Sequence, residues 1–527
     1  MNDAAPTAEA VLVRAGRIIA AGPRADVEKR AAGQPKLIDL GGRTMLPGFF
    51  DPHGHVIMIG LQALSANLLP PPDGEGADIA AIQRLIKDWI GKNGKAIERY
   101  GVVIGFGYDD SQLKEQRHPT RDDLDAVSTD VPIILIHQSS HLGTANSKAL
   151  EIAKVSASTE NPKGGIFRRR EGSSEPNGVM EEYAFFQVMG TLAARFDEDA
   201  YLAMISAGAR FSASFGYTTV QEARAMGVWA AMLGNAAEKK LLPVDVLMHP
   251  DILDAVEAIA PTKDYRNRLR IGGAKLTIDG SPQGKTAWLT QPYFVPPEGQ
   301  GADYVGYPAI TNEQATEAIN LAFSKGWPIL VHCNGDAAID QLIASVGDAT
   351  KRHGGGDRRT VLIHGQCCRI DQLDSLKELG IIPSFFPMHT FYWGDWHRDS
   401  VLGPVRAENI SPCASALERG MIFTSHHDAP VANPDSMRVL SATVARRTRS
   451  GDILGPNQRV SVENALKAMT IWPAYQHFEE ATKGSIEAGK LADFVILDQN
   501  PLTTEADALA SLKVVETIKE GATVYTI

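Results

Sequence analysis

The sequence has few cysteines and no long apolar run, and each shortage excludes a class of protein. Its 527 residues include four cysteines, Cys333, Cys367, Cys368 and Cys413, whose spacing does not resemble a disulfide framework or a zinc knuckle. A reducing compartment is therefore expected. No apolar stretch approaches the roughly 18 residues that a membrane-spanning helix needs, and no signal peptide is visible, which leaves a trimmed upstream segment open. These shortages predict a cytoplasmic protein without a membrane partner.

Dense positive charge is also absent, which argues against a nucleic-acid surface. The formal net charge is -11, and the basic run at 168–170 is short and followed by Glu171. Nucleic-acid binding proteins normally cluster lysine and arginine on one face. The composition, 44% hydrophobic and 22% charged, is ordinary for a soluble globular protein. A small molecule is the expected partner, and a homo-oligomer stays open.

Short apolar segments alternate with amphipathic helical patterns through most of the chain. Eight segments have the length and composition of buried strands. They are 44–55, 216–223, 243–250, 272–280, 327–336, 360–366, 381–387 and 421–430. Eight β/α units predict an α/β fold, a distorted (β/α)8 TIM barrel.

The two ends of the chain have a different pattern, with short β-rich runs between glycine turns. Neither end is large enough to bury a sheet alone, so residues 1–46 with 481–527 are predicted to form one small β-sandwich. Residues 47–480 would then form the barrel domain. The connection after the first barrel strand is far longer than an ordinary βα loop, which predicts an inserted subdomain at about 60–200.

Polar side chains occur at the ends of several predicted strands. Since the carboxyl ends of barrel strands converge on one face, these side chains are expected to meet. They are His53, His55, Lys275, His332, His364 and Asp428. An H-x-H pair places both rings on the same strand face, although alone it is a weak signal. Imidazole and carboxylate are the usual non-thiolate ligands of zinc, so the set predicts a Zn²⁺ site.

In these residues the sequence resembles the amidohydrolase superfamily, and more closely its amidohydrolase 3 branch, which includes N-substituted formamide deformylases. Similarity extends from about residue 11 to 525, and the order of the motifs is highly specific. The matching stretches are LPGFFDPHGH, HLGTANSKAL, GGAKLTIDGSPQGKTAWLTQPY, VHCNGDAAID, LIHGQ, SHHDAP and GSIEAGKLADFVIL.

The resemblance implies how the predicted ligands share the metal. The two histidines of the first strand would hold one metal, and His332 and His364 would hold a second. Lys275 matches a position where many members have a carboxylated lysine that bridges two metals. Asp428 would lie beside the nucleophilic hydroxide. Members with one metal exist, so one or two metals are both open.

The resemblance and the metal chemistry together predict hydrolysis of a C–N bond in a small molecule, such as an amide or a formamide. Zn²⁺ lowers the pKa of a bound water and polarises the substrate carbonyl. Asp428 would take the proton from the water and deliver it to the leaving nitrogen. The alternatives are a deaminase or cyclic amidase on the same centre, and a non-catalytic binding or regulatory barrel.

Five further residues are candidates for substrate binding. His141 matches a family position that faces the substrate, or it caps a loop. Asp279 orients a ligand or the substrate, or shapes a turn. His389 and Trp393 lie in an aromatic segment after the seventh strand, which predicts a pocket for an apolar or aromatic group, or else a loop core. His427 narrows the site or contacts the substrate.

Overall fold

The computed structural model describes residues 2, 4–297 and 299–527, and these form two compact units. The first comprises the chain up to Val56, Ala209–Asp428 and Pro434–Ile527. The second comprises Ile57–Gly208 and Ala429–Asn433. No helix of the described residues is long and apolar enough to cross a membrane.

Parallel strands form two sheets in the first unit. The four-stranded sheet has the spatial order Leu269–Ile271, Asp245–Pro250, Tyr217–Ala225, Phe49–Phe50. The five-stranded sheet has the order Ala274–Thr277, Ile329–Cys333, Val361–His364, Ile382–Phe385, Thr424–Ser425. Each of the eight predicted barrel strands is therefore a strand in the structure. Leu269–Ile271 is an additional strand that the sequence pattern did not predict.

The helices of the first unit follow most of these strands. They are Arg24–Lys29, Gly227–Glu238, Asn312–Lys325, Asp336–His353, Ile370–Glu378, Met388–Trp396, Gly403–Ala407, Cys413–Glu418, Ser436–Ala445, Val462–Lys467 and Ile471–Gln476. Local sequence explains where the helix Asn312–Lys325 begins and ends. Thr311 and Gln314 form a capping box at its start, and Gly326 ends it in the left-handed conformation. Ile319, Phe323 and neighbouring apolar residues bury the helix against the parallel strands.

Strands from both ends of the chain share one antiparallel sheet. Its spatial order is Ala522–Thr526, Val514–Lys519, Phe494–Leu497, Thr44–Pro47. A hairpin of Ala10–Arg14 and Arg17–Gly22 forms a separate two-stranded sheet. Ile18 from the hairpin and Phe494 from the larger sheet lie in the same apolar cluster, so the two sheets share a core.

A buried ion network links the C-terminal strands to a parallel strand. The ammonium group of Lys519 lies 2.6 Å from Asp245 and 2.8 Å from Asp493. Lys483 lies 2.7 Å from both Asp245 and Glu479. All five side chains are buried. Breaking such a network destabilises the protein, because the charges that remain are buried without a partner.

The second unit is built around a six-stranded mixed sheet. Its spatial order is Ala66–Asn67, Val103–Tyr108, Ile133–His137, Leu142–Ala145, Pro176–Glu182, Gly165–Arg169. The helices over this range are Val56–Leu64, Ile79–Lys92, Gly94–Tyr100, Arg121–Asp125, Ser147–Ile152, Tyr183–Ala193 and Glu198–Ser214. Apolar residues such as Phe106, Ile134 and Met180 form its core.

Candidate metal centre

A tight turn after the strand Phe49–Phe50 positions His53 and His55. The carboxylate of Asp51 accepts the backbone N–H of His53 at 3.0 Å, which closes the turn. Gly54 is required there, since a Cβ at this position would lie 2.4 Å from Oδ2 of Asp51. The turn thus buries His53 almost completely and leaves His55 partly exposed.

The two histidines meet Asp428, which follows the strand Thr424–Ser425. Nε2 of His53 and Nε2 of His55 each lie 3.3 Å from Oδ1 of Asp428. Oδ1 nevertheless has no hydrogen-bond partner, because neither contact has hydrogen-bond geometry. Asp428 has a φ of +51°, a left-handed conformation that aspartate tolerates better than most residues.

His332 and His364 bring two more imidazoles to the same place. Nδ1 of His332 lies 3.0 Å from Nε2 of His364, and Nε2 of His364 lies 3.9 Å from Oδ2 of Asp428. The amine of Lys275 lies 3.4 Å from Nε2 of His53 and is buried. The structure therefore brings all six predicted ligands together.

Burial and neighbouring charges set the protonation of these groups. Burial lowers the pKa of Lys275 to about 7. Burial, aided by neighbouring cationic groups, holds the pKa values of His53 and His364 well below their ordinary range. Burial alone would also lower the pKa of His55, but the carboxylates of Asp428 and Glu222 outweigh burial and raise that pKa to about 9.

The convergence of these atoms fits a divalent cation. Ligand atoms of His53, His364 and Asp428 all lie within 4.8 Å of one another. Neutral imidazole nitrogen and carboxylate oxygen are typical zinc donors. Oδ1 of Asp428 is buried, lies 3.3 Å from two imidazole nitrogens and has no hydrogen-bond partner, and a bound cation would satisfy it.

The structure adds three residues to the centre that were not among the predicted ligands. The Glu222 carboxylate is fully buried and lies 3.4 Å from Nδ1 of His55. Nε2 of His426 lies 3.0 Å from Nδ1 of His364, and Nδ1 of His426 lies 3.0 Å from Oγ of Ser384. One signal was available for His426: it stands two positions before Asp428, and residues two apart on a strand share a face.

The neighbouring His427 lies elsewhere. Its ring is buried, 3.4 Å from Asp51 and in an edge contact with Tyr217 at 5.1 Å between centroids. Burial lowers the pKa of His427 to about 3, so the ring is neutral. A contact between His427 and substrate stays a prediction.

Aromatic side chains continue from the centre toward the predicted pocket residues. The ring of Phe386 lies 5.1 Å from His426 and 4.6 Å from His389. His389 lies 4.7 Å from Trp393, and its Nδ1 is 2.9 Å from Nε2 of His397. His389 and Trp393 are both buried. Their role in substrate binding stays a prediction.

Asp279 is buried beside His332 and bonds to the backbone. Its Oδ1 accepts the N–H of Asn334 at 2.9 Å, and its Oδ2 accepts the N–H groups of Gly335 at 2.8 Å and Trp288 at 2.9 Å. Oδ1 also lies 3.7 Å from Nε2 of His332. Asp279 therefore holds the turn after the strand that carries His332, and a direct contact with substrate stays a prediction.

We expect Asp279→Asn to lower the free energy of unfolding by about 1–3 kcal/mol, because the new amide would face a buried N–H group that then lacks an acceptor. Urea unfolding would measure the change. Asp374→Asn is the control, since its carboxylate is exposed and pairs with Arg419 at 2.8 Å. Equal stability of the two variants would contradict the assigned role.

His141 belongs to the second unit. Its Nδ1 lies 2.9 Å from the carboxylate of Glu182, and its backbone carbonyl accepts the Glu182 N–H at 2.8 Å. Glu182 has a φ of +49°, so its backbone is strained while it meets His141. The predicted contact of His141 with substrate stays a prediction.

Comparison with known proteins identifies the family. A model of the amidohydrolase family matches residues 36–525. The N-substituted formamide deformylase of Arthrobacter pascens is 28% identical, over 98% of this chain and 95% of the relative.

Two solved structures have a similar fold. An uncharacterized metal-dependent hydrolase from Pyrococcus horikoshii OT3 superposes with a TM-score of 0.74 at 23% identity, over 94% of both chains. Another from Pyrococcus furiosus gives 0.72 at 24% identity, over 94% of this chain and 95% of the other. The predicted α/β fold is thus confirmed. Because the family model spans most of its length, the chain belongs to the amidohydrolase family and is a hydrolase.

Proposed function

We propose that this hydrolase cleaves the C–N bond of a small amide or N-substituted formamide at a Zn²⁺ centre. In this proposal the two parallel sheets close into one (β/α)8 barrel of residues 47–480, and residues 1–46 with 481–527 form a β-sandwich. The observation that carries the proposal is the approach of His53, His55 and His364 to one carboxylate, Asp428, within 3.3–3.9 Å.

The residues named above would hold one or two divalent metals. His53 and His55 would hold one, and His332 and His364 would hold the other. When bound, zinc lowers the pKa of a water molecule and polarises the substrate carbonyl as a Lewis acid. Lys275 is a poor ligand as a protonated amine, and its carboxylation would give a carbamate whose oxygens could hold metal; the amine itself lies 3.4 Å from Nε2 of His53.

Asp428 moves the proton in this mechanism. Its carboxylate accepts a proton from the attacking water and then donates it to the departing nitrogen, because an amine anion is a very poor leaving group. Glu222 would accept a hydrogen bond from Nδ1 of His55 at 3.4 Å, and a metal would replace the proton on Nε2 of that ring. Phe386 and Trp393 exclude water and receive an apolar or aromatic substituent of the substrate.

Two facts support amide hydrolysis over deamination. The deformylase of Arthrobacter pascens aligns over nearly the whole chain. Lys275 is buried with its amine 3.4 Å from Nε2 of His53, so a carboxylated Lys275 would be available to hold metal. Release of ammonia without cleavage at a carbonyl carbon would instead favour the deaminase or cyclic amidase alternative.

Metal removal and substrate screening test the proposal. We expect protein treated with a chelator to hydrolyse no N-substituted formamide, and Zn²⁺ to restore release of formate and amine in equal amounts. Chromatographic assay of both products measures this, with circular dichroism as the control for folding. If metal-replete protein hydrolyses nothing in a panel of formamides, amides, carbamates and lactams, the proposal is wrong.

A further inference from the structure

A metal-binding histidine almost always has a partner for its second ring nitrogen, and that partner decides which nitrogen carries the lone pair. For His55 the partner is the carboxylate of Glu222, at 3.4 Å from Nδ1. Nε2 of His332 lies 3.2 Å from the carbonyl oxygen of Gly280 and 3.1 Å from Nδ2 of Asn334. A carboxylate and a carbonyl oxygen only accept hydrogen bonds, so each favours a proton on the ring nitrogen that faces it.

His364 has a different kind of partner. Its Nδ1 lies 3.0 Å from Nε2 of His426, and that ring continues through Nδ1 to Oγ of Ser384 at 3.0 Å. Both His426 and Ser384 are fully buried. An imidazole and a hydroxyl each donate or accept, so the row Ser384, His426, His364 has two complete hydrogen-bond patterns.

The two patterns differ in which ring nitrogen of His364 carries the proton. In the first, Ser384 donates to His426, His426 donates to His364, and the proton of His364 lies on Nε2, where it blocks a metal. In the second, His364 donates from Nδ1 to His426, and His426 donates from Nδ1 to Ser384. Nε2 of His364 then has its lone pair directed at Nδ1 of His332, 3.0 Å away. Both patterns contain the same number of protons.

We propose that His426, supported by Ser384, is a positioning residue that holds His364 in the tautomer able to bind metal. The inference rests on the proposed metal centre. The position of His426 also supports the inference. Its backbone N–H donates to the carbonyl oxygen of Phe385 at 3.1 Å, and its ring packs against Phe386. The ring therefore faces His364 without freedom to turn away.

Metal affinity of His426 variants tests the inference. His426→Leu removes the acceptor for Nδ1 of His364, and we expect Co²⁺ and Zn²⁺ affinity to fall about 10- to 100-fold, as is typical when such a partner is lost. His426→Gln has an amide oxygen that accepts from the same position, and we expect its affinity to return close to that of the wild type. Co²⁺ titration followed by visible absorption, and retained metal after dialysis, are the measurements.

Two further variants complete the experiment. His249→Leu is the matched control, because His249 is also a buried histidine but its ring nitrogens have no hydrogen-bond partner among the described residues. It should bind metal as the wild type does. Ser384→Ala removes only the hydroxyl at the far end of the row, and its affinity should also fall, so it replaces His426→Leu if that variant does not fold.

The results separate this inference from the proposed function. If His426→Leu binds Co²⁺ as tightly as the wild type, or if His426→Gln binds as weakly as His426→Leu, the inference is wrong while the metal centre stands. If affinity depends on His426 as expected but metal-replete protein cleaves no amide or formamide, the inference stands and the proposed function fails.

Discussion

Asp428→Asn should lower the rate of C–N hydrolysis by about 10²- to 10⁴-fold, the usual contribution of a general acid–base group. The amide is nearly the same size as the carboxylate but does not accept the proton of the attacking water. The loss should fall mainly on kcat, because the proton transfer belongs to the chemical step. Formate release from an N-substituted formamide, measured at saturating substrate, would give the ratio.

Metal content decides how that result is interpreted, since Asp428 also lies 3.3 Å from both His53 and His55. A variant that retains its zinc and loses activity supports proton transfer by Asp428. A variant that loses activity and zinc together would show that the carboxylate is needed first as a ligand. Full activity with zinc bound would contradict the assigned role.

Lys519→Met should lower the free energy of unfolding by about 3–5 kcal/mol, which is the usual cost of removing one partner from a buried ion pair. The substitution removes the ammonium group that lies 2.6 Å from Asp245 and 2.8 Å from Asp493. Urea unfolding would measure the loss. Arg24→Met breaks the exposed pair with Glu28 and should cost no more than about 0.5 kcal/mol. Similar losses in both variants would contradict a special role for the buried network.

The same network gives stability a dependence on pH. Burial alone would raise the pKa of Asp245, but the ammonium groups of Lys483 and Lys519 outweigh it and hold that pKa well below its ordinary value. A carboxyl group with a lowered pKa contributes stability above its unfolded pKa of about 3.9, and this contribution is lost as the pH falls further. Lys519→Met should therefore lose less stability on acidification than the wild type does.

The eight parallel strands could be predicted because their signal is local. Strands buried on both faces give apolar runs, and most of the runs here end at a glycine, proline or polar turn. The ninth strand, Leu269–Ile271, lacks this signal, because it has only three residues and Arg270 is one of them. That guanidinium is buried only because it donates to the carbonyl of His477 at 2.8 Å and pairs with Glu479 at 3.0 Å. Both partners are distant in sequence.

The candidate ligands could also be predicted, since strand ends in a parallel α/β fold bring distant residues together. The partners of the ligands were harder to identify. Glu222 reads as an ordinary strand residue until His55 is placed 3.4 Å away. His426 and His427 are adjacent and identical in type, and only the direction of each side chain distinguishes them. The alternation of side chains along a strand does not predict these directions here, because the strand has ended and the backbone of Asp428 is left-handed.

The left-handed backbone at the centre has a cost that a bound metal would offset. Both His364 and Asp428 have positive φ values, +72° and +51°. Strain of this kind costs on the order of 1–3 kcal/mol at each residue and persists only when the surrounding structure holds it. A cation that binds the folded chain alone adds about 2.7 kcal/mol of stability when its free concentration is 100 times its dissociation constant. Occupation of the proposed metal centre would therefore link the free energy of unfolding by mass action to the free concentration of the cation.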